Sequence, residues 1–250
     1  MEQRLNFGRF SEGTLSSHDQ VARALGIEIL AGTYPPGAKL PPEAEILARF
    51  GISRTVLREA FKTLTAKGLI VSKTRVGTTV LDSAHWNFFD ADILEWKVSK
   101  GFDLAFVRDL ADIRRAIEAA GAQSAAARRT TDDIAEMRRC LDRMNAATAD
   151  ASAFAMADLE FHNAIGRASG NVLIRSLAAV VETALLASFR MSSPVREADE
   201  HAASVAGHRR IVDAIEARDG EAAAEAMRAI IGHGVARIER GVASRVPEGV

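Results

Sequence analysis

Apolar side chains recur along the chain in two regimes. From His18 to Ala31, the positions Val21, Ala24, Leu25, Ile29 and Leu30 fall near one helical face, which predicts an amphipathic helix. Gly32-Thr33-Tyr34-Pro35-Pro36-Gly37 ends it, because glycine supplies turn geometry and proline withholds a helical hydrogen bond. A short helix is expected over 43–50, with acids in its first turn where the helix dipole favours them. Gly51-Ile52 reads as a tight turn, Ser53 as the cap of a helix from Arg54 to about Lys67, and Gly68 as its stop. In that helix Val56, Leu57, Ala60, Phe61 and Leu64 form one apolar face, while Arg54, Arg58 and Lys62 recur every fourth residue on another. Leu69–Lys73 and Thr78–Leu81 then read as two strands around 74–77. Two short helices followed by a hairpin make a helix-turn-helix with a wing.

Beyond 82–87 the pattern turns helical throughout, with helices expected near 90–99, 103–128, 131–148, 152–169, 172–190, 197–218 and 220–241. Four of the six prolines lie at 35, 36, 41 and 42 and the next is Pro194, so nothing interrupts long helices between. The expected fold is mainly α: a winged helix-turn-helix domain over 1–82, a linker and connecting helix over 83–102, and an all-α antiparallel bundle over 103–245.

Charge sharpens this division. The chain has 250 residues with 32 basic and 33 acidic side chains, which excludes a uniformly basic nucleic-acid coat. Residues 1–82 nevertheless carry 11 basic against 8 acidic side chains, and the remainder 21 against 25. Within 49–75, Arg49, Arg54, Arg58, Lys62, Lys67, Lys73 and Arg75 face a single acid, Glu59, which suits an anion-binding face. A helix in the major groove would let Arg54 and Arg58 reach guanine edges, with Ser53 and Thr55 bonding phosphate or bases. Lys73 and Arg75 at the wing would meet the sugar-phosphate backbone, and Gly77 permits close approach. Cys140 is the only cysteine, no run of about 18 apolar residues exists, and the first residues lack a signal-peptide order. The expectation is a cytoplasmic protein in a reducing compartment, with no membrane partner.

The bundle carries its own chemistry. Asp158 and His162 lie at i and i+4 on one helix face, and His208 and His233 on later helices. One carboxylate and imidazoles from separate helices suit a divalent transition metal; ordinary satisfied polar groups are the alternative. No dinucleotide loop, phosphate loop, His-Glu-x-x-His or Gly-x-Ser-x-Gly elbow is present, so the chain is expected not to be an enzyme.

Tyr34-Pro35-Pro36-Gly37, Leu40-Pro41-Pro42-Glu43, Ala48 through Val56, Leu57-Arg58-Glu59-Ala60, Gly68-Leu69 and Gly77-Thr78 together resemble the GntR family of bacterial winged-helix transcription factors. The resemblance implies DNA contacts from Arg54, Thr55, Arg58 and the wing, with a backbone contact missing where Ala44 replaces the family's further basic residue. Residues 110–128, 158–165 and 208–219 are similar to the FCD ligand-binding domain of the FadR subfamily. That implies a metal, often zinc and in some members nickel or manganese, held by Asp158, His162 and His208. Metal-binding members place another histidine where Ile230 stands here; His233, one turn on, is a candidate substitute, three protein ligands are a second possibility, and no metal a third.

The same resemblance puts Arg114 at an effector-contacting position, with Glu118 as its alternative partner. Arg237, two turns beyond Ile230, and Ser204, one turn before His208, complete a candidate site for a small carboxylate. The implied protein is a homodimeric, ligand-responsive repressor of a catabolic operon, released from operator DNA by an acid such as a sugar acid. The junction from Trp86 to Trp96 resembles that of sugar-acid-responsive members such as galactonate-operon repressors. The rival readings are a metal-dependent all-α enzyme and an effector-independent activator.

Overall fold

The computed structural model describes residues 15–73, 77–99 and 103–243, which divide into one unit within Gly8–Gly101 and another within Phe102–Val250. In the first, α1 (Ser17–Leu30) starts at Ser16, whose hydroxyl accepts from the Asp19 amide. The chain then forms α2 (Glu43–Phe50), a left-handed Gly51 at φ 64°, and α3 (Arg54–Ala66). Val21, Leu25, Ile29, Ile46, Leu57, Phe61 and Leu64 are buried together, as their spacing requires. β1 (Ile70–Lys73) and β2 (Gly77–Val80) pair antiparallel, with Ile70 opposite Val80 and Lys73 opposite Gly77. Arg75 lies outside the described residues.

One feature of this unit goes beyond the expected outline. The segment 38–40 pairs with β2: Leu40 N–H donates to Thr78 O, and Val80 N–H donates to Ala38 O. Between the prolines at 35, 36, 41 and 42, the three residues are too few for a strand pattern to show in the sequence. The linker and connecting helix expected over 83–102, which have no Gly/Ser-rich tether, pack onto the unit they follow, as that composition implies. The connecting helix α4 (Ala91–Val98), capped by Asp90, puts Ile93 and Trp96 into the same core. Trp96 lies so close to Gly26 of α1 that a Cβ there would fall 2.3 Å from its ring. Lys67, at the end of α3, donates to Asp90 at 2.6 Å, meets Asp92 at 2.7 Å, and stands 5.4 Å over the Trp96 ring. Burial alone would lower the Lys67 pKa, but the two carboxylates outweigh it and raise it.

The second unit is helical wherever it is described: α5 (Leu104–Arg128), α6 (Thr131–Ala146), α7 (Ala151–Ala168), α8 (Val172–Ser176), α9 (Ala178–Met191), α10 (Ala198–Glu216) and α11 (Gly220–Ala243), with a 3-10 turn at Pro194–Arg196. Asp103, Thr130, Asp150 and Asn171 each cap a helix with a side-chain oxygen. α5 packs along α11, α6 against α7, and α10 against α11.

The single helix expected over 172–190 is two, broken at Leu177 without glycine or proline. Ser176 turns its hydroxyl back onto Leu173 O at 2.7 Å, and the Leu177 amide reaches Ile174 O, three residues back. Ile174 thereby rests against bare Gly121 of α5, a tertiary contact that local spacing does not encode. Into this largely apolar bundle the fold also buries Arg114 and Glu118 from α5, Asp158 and His162 from α7, Ser204 and His208 from α10, and Arg237 from α11. No helix among the described residues is long and apolar enough to cross a membrane.

Candidate functional site

The exposed face of α3 is built by its start. Ser53 accepts from the Val56 amide at 3.3 Å, which fixes the first turn and sets Arg54, Thr55 and Arg58 on the outside, while Leu57, Ala60, Phe61 and Leu64 hold the opposite face in the core. The basic cluster read from the sequence is sorted by its partners. Arg49 forms a bidentate ion pair with Glu28 of α1 and lies 4.8 Å over the Phe50 ring. Lys62 pairs with Glu59 at 2.8 Å, and Lys67 is held by Asp90 and Asp92. Among the described residues Arg54 and Arg58 form no ion pair, so their charges face outward unneutralised, with Lys73 exposed on β1.

In the second unit, Asp158, His162 and His208 each offer a ligand atom, all within 4.8 Å of one another. The i, i+4 spacing on α7 brings Asp158 and His162 together, and α10 lays His208 against them. Nδ1 of His208 lies 2.8 Å from Ser204 O and donates its proton there, which leaves Nε2 to bind a cation or, without one, to carry a second proton toward Asp158. That Nε2 is 2.6 Å from Oδ1 of Asp158. On the other side, Nδ1 of His162 is 2.5 Å from Oε2 of Glu118, which also holds a bidentate ion pair with Arg114.

Close as these atoms are, Asp158 Oδ1, His162 Nδ1 and His208 Nε2 are buried without a hydrogen bond in good geometry. Leaving such groups unpaired costs about 1–3 kcal/mol each. A divalent cation held by Asp158 Oδ1, His208 Nε2 and the Nε2 of His162 removes that cost for the first two, while Glu118 faces Nδ1 of His162, so these residues fit a metal. Burial opposes the charge of Glu118, but Arg114 and His162 overcome it and hold its carboxyl at about 2. Asp158 is likewise held below the usual carboxylate range against burial, chiefly by His208.

Arg114, Ser204 and Arg237 line the same cavity, of about 50 Å³, as the three candidate ligands. Arg237 is buried, donates from Nε to Ser192 O at 3.0 Å, and forms no ion pair among the described residues. Burial pushes its pKa below the ordinary value, against the pull of Asp158 and Glu200.

The chain matches the FCD domain over residues 109–233 and the bacterial regulatory proteins of the gntR family over residues 17–80. It is 32% identical over 226 residues to the galactonate operon transcriptional repressor of Escherichia coli (strain K12), covering 90% of this chain and 98% of that one. The chain belongs to the GntR family of bacterial regulatory proteins. This GntR regulator is also 30% identical over 199 residues to the HTH-type transcriptional regulator LutR of Bacillus subtilis (strain 168), over 78% of this chain and 89% of that one. Its fold matches the solved structure of Lar, which controls the agr system of Listeria monocytogenes, with TM-score 0.60, 17% identity and coverage of 92% and 99%.

Within the GntR regulator, the structure answers the question left by Ile230. His233 donates toward Glu200 at 2.8 Å, away from the triad, and it does not line the cavity. Ile230 does line it, so His233 is not brought in as a substitute ligand. Sequence reasoning saw Glu118 only as a partner of Arg114. Its position four residues after Arg114 signals the ion pair but not the contact with His162, which requires α5 to lie against α7. Ser188, which accepts from Arg237 at 3.4 Å, was missed, because it has no motif around it. A second cavity of about 260 Å³, bordered by Asn163, Ile174 and Met227, lies where Glu118 and His162 form part of the wall.

Proposed function

We propose that this GntR regulator is a homodimeric repressor whose bundle senses a small carboxylate, such as a sugar acid, at a metal held by Asp158, His162 and His208. The observation that carries the reading is the convergence of that donor triad with two buried arginines on one cavity. The metal, when bound, supplies a Lewis-acidic anchor for an anionic oxygen. Arg237 adds a guanidinium without a carboxylate partner, suited to a carboxylate. Arg114 positions Glu118, which in turn orients His162.

The cavity is narrow and is walled on several sides by the packed helices α5, α7, α9, α10 and α11. To release DNA the acid must bind one arrangement of the bundle better than another, and that differential affinity is what shifts the DNA-binding equilibrium. The repressor role and the sugar-acid class draw on the similarity to the galactonate operon repressor.

The test is fluorescence anisotropy on an operator selected by the regulator from random duplex DNA. D-galactonate or a related sugar acid should release the operator, and Arg237→Ala should blunt that release while leaving acid-free DNA affinity intact. Operator affinity indifferent to a broad panel of acids sinks the reading.

On the DNA side, Arg58→Ala should weaken operator binding by about 1–3 kcal/mol, with the loss concentrated at one base pair. Affinities for single-base operator variants check this. An equal loss on every variant assigns Arg58 to the phosphate backbone instead.

A further inference from the structure

We propose that Ile230 makes metal binding in this regulator depend on the acid: three protein donors hold the metal loosely, and a carboxylate completes its coordination. The inference rests on the acid-sensing reading above and concerns what the cavity wall lacks. A divalent transition metal takes four to six donors, and among the described residues the cluster supplies Asp158, His162 and His208.

The remaining wall offers little to a cation. Ile230 occupies it from α11, with Cδ1 set against Gly207, the residue before the ligand His208. A Cβ on residue 207 would fall 2.6 Å from that methyl, so the bare glycine and the isoleucine fit one another and leave no donor on that side. His233, the other imidazole on α11, is engaged by Glu200. Arg114 and Arg237 cannot ligate a cation at all.

Charge points the same way. The two arginines, Arg114 and Arg237, and the two carboxylates, Glu118 and Asp158, balance in number across the site, so it is near neutral without a metal, although Arg237 forms no ion pair among the described residues. A divalent ion alone leaves two uncompensated positive charges in a buried place, which is costly. An acid alone leaves negative charge there. A monocarboxylate on the metal halves that excess to a single positive charge, so each raises the affinity for the other by the same factor. An imidazole at position 230 supplies a permanent neutral donor instead, tightening the metal and weakening its dependence on acid.

The experiment uses the full chain, with zinc affinity read by competition against a chromophoric chelator and corrected for zinc bound to free acid. The acid probes are acetate and D-galactonate. In the wild type, saturating acid should tighten zinc by about tenfold or more, within the range usual for coupled sites. Acid should also change the visible absorption of the cobalt-loaded protein, which reports coordination number. Ile230→His should bind zinc more tightly without acid and show a smaller gain on adding it. The wild-type comparison needs no variant and stands even if Ile230→His does not fold.

Zinc affinity unmoved by both acids overturns the inference. If an acid then still releases operator DNA, the sensing function stands and only the dependence falls. Zinc bound neither with nor without acid overturns the inference together with the metal reading, whereas failure of every acid to release DNA counts against the proposed function itself.

Discussion

Alanine at position 208 should strip the metal from the bundle and, in the metal-free protein, weaken the fold. His208 supplies one of three clustered donors. Losing an outer partner of a metal site already costs about 10–100-fold in affinity, so losing a direct donor should cost at least that. Zinc affinity by chelator competition in saturating D-galactonate checks it, and an affinity equal to that of the wild type rules out the three-donor arrangement.

The stability effect has a separate cause. Asp158 is 3% exposed, and burial opposes its charge; His208 is the foremost group that offsets this. Removing one partner of such a buried pair costs about 3–5 kcal/mol, because the other charge is left behind. Asp158→Asn combined with His208→Ala should cost less than the two single changes added together, since neither then strands the other. Chemical denaturation of chelator-treated protein measures all three variants. Additive losses show that the two side chains are not coupled.

Gly68→Ala should strongly destabilise the DNA-binding unit. Gly68 has φ +76°, a region that costs a side-chain-bearing residue about 1–2 kcal/mol. Its added Cβ would also fall 2.0 Å from the carbonyl oxygen of His85. Relieving that overlap means shifting the backbone around 85–87, where the Asn87 amide donates to Lys67 O at 3.1 Å. Overpacking of this kind adds about 1–3 kcal/mol. Gly32→Ala is the control: φ is +79°, but nothing lies within 4 Å, so only the backbone cost remains.

Both tryptophans of the chain, Trp86 and Trp96, lie in this unit, so tryptophan fluorescence follows its unfolding while the bundle contributes none. A Gly68→Ala transition no lower than that of Gly32→Ala removes the steric argument. Operator affinity should fall with the lost stability, because α3 ends at this corner.

The two halves were legible to different depths. Ser53 capping α3, the left-handed Gly51 and the apolar stripe from Leu57 to Leu64 are local matters, decided by residues within a turn or two of each other. They appear in the structure where the spacing puts them. The fate of the basic cluster was not legible. Arg49 is 21 residues from Glu28, and Lys67 is 23 from Asp90, so only packing shows which charges are spent internally and which remain to face outward. The break at Leu177 was invisible for the same reason, since it serves a contact with Gly121 more than fifty residues away.

The amino-acid sequence by itself determined the element order apart from the break at Leu177, the capped helix of the DNA-binding unit, the family, and the pairing of Asp158 with His162 on one helix face. These follow from periodicity and short-range chemistry, which operate along a continuous stretch of chain. Tertiary structure alone decided that His208 meets that pair, that Glu118 braces His162, that His233 is turned aside to Glu200, and that Ile230 closes the cavity against Gly207. Each depends on how two helices distant in sequence are rotated against one another. That rotation is set by the summed packing of whole helix faces, and no single stretch of chain contains it.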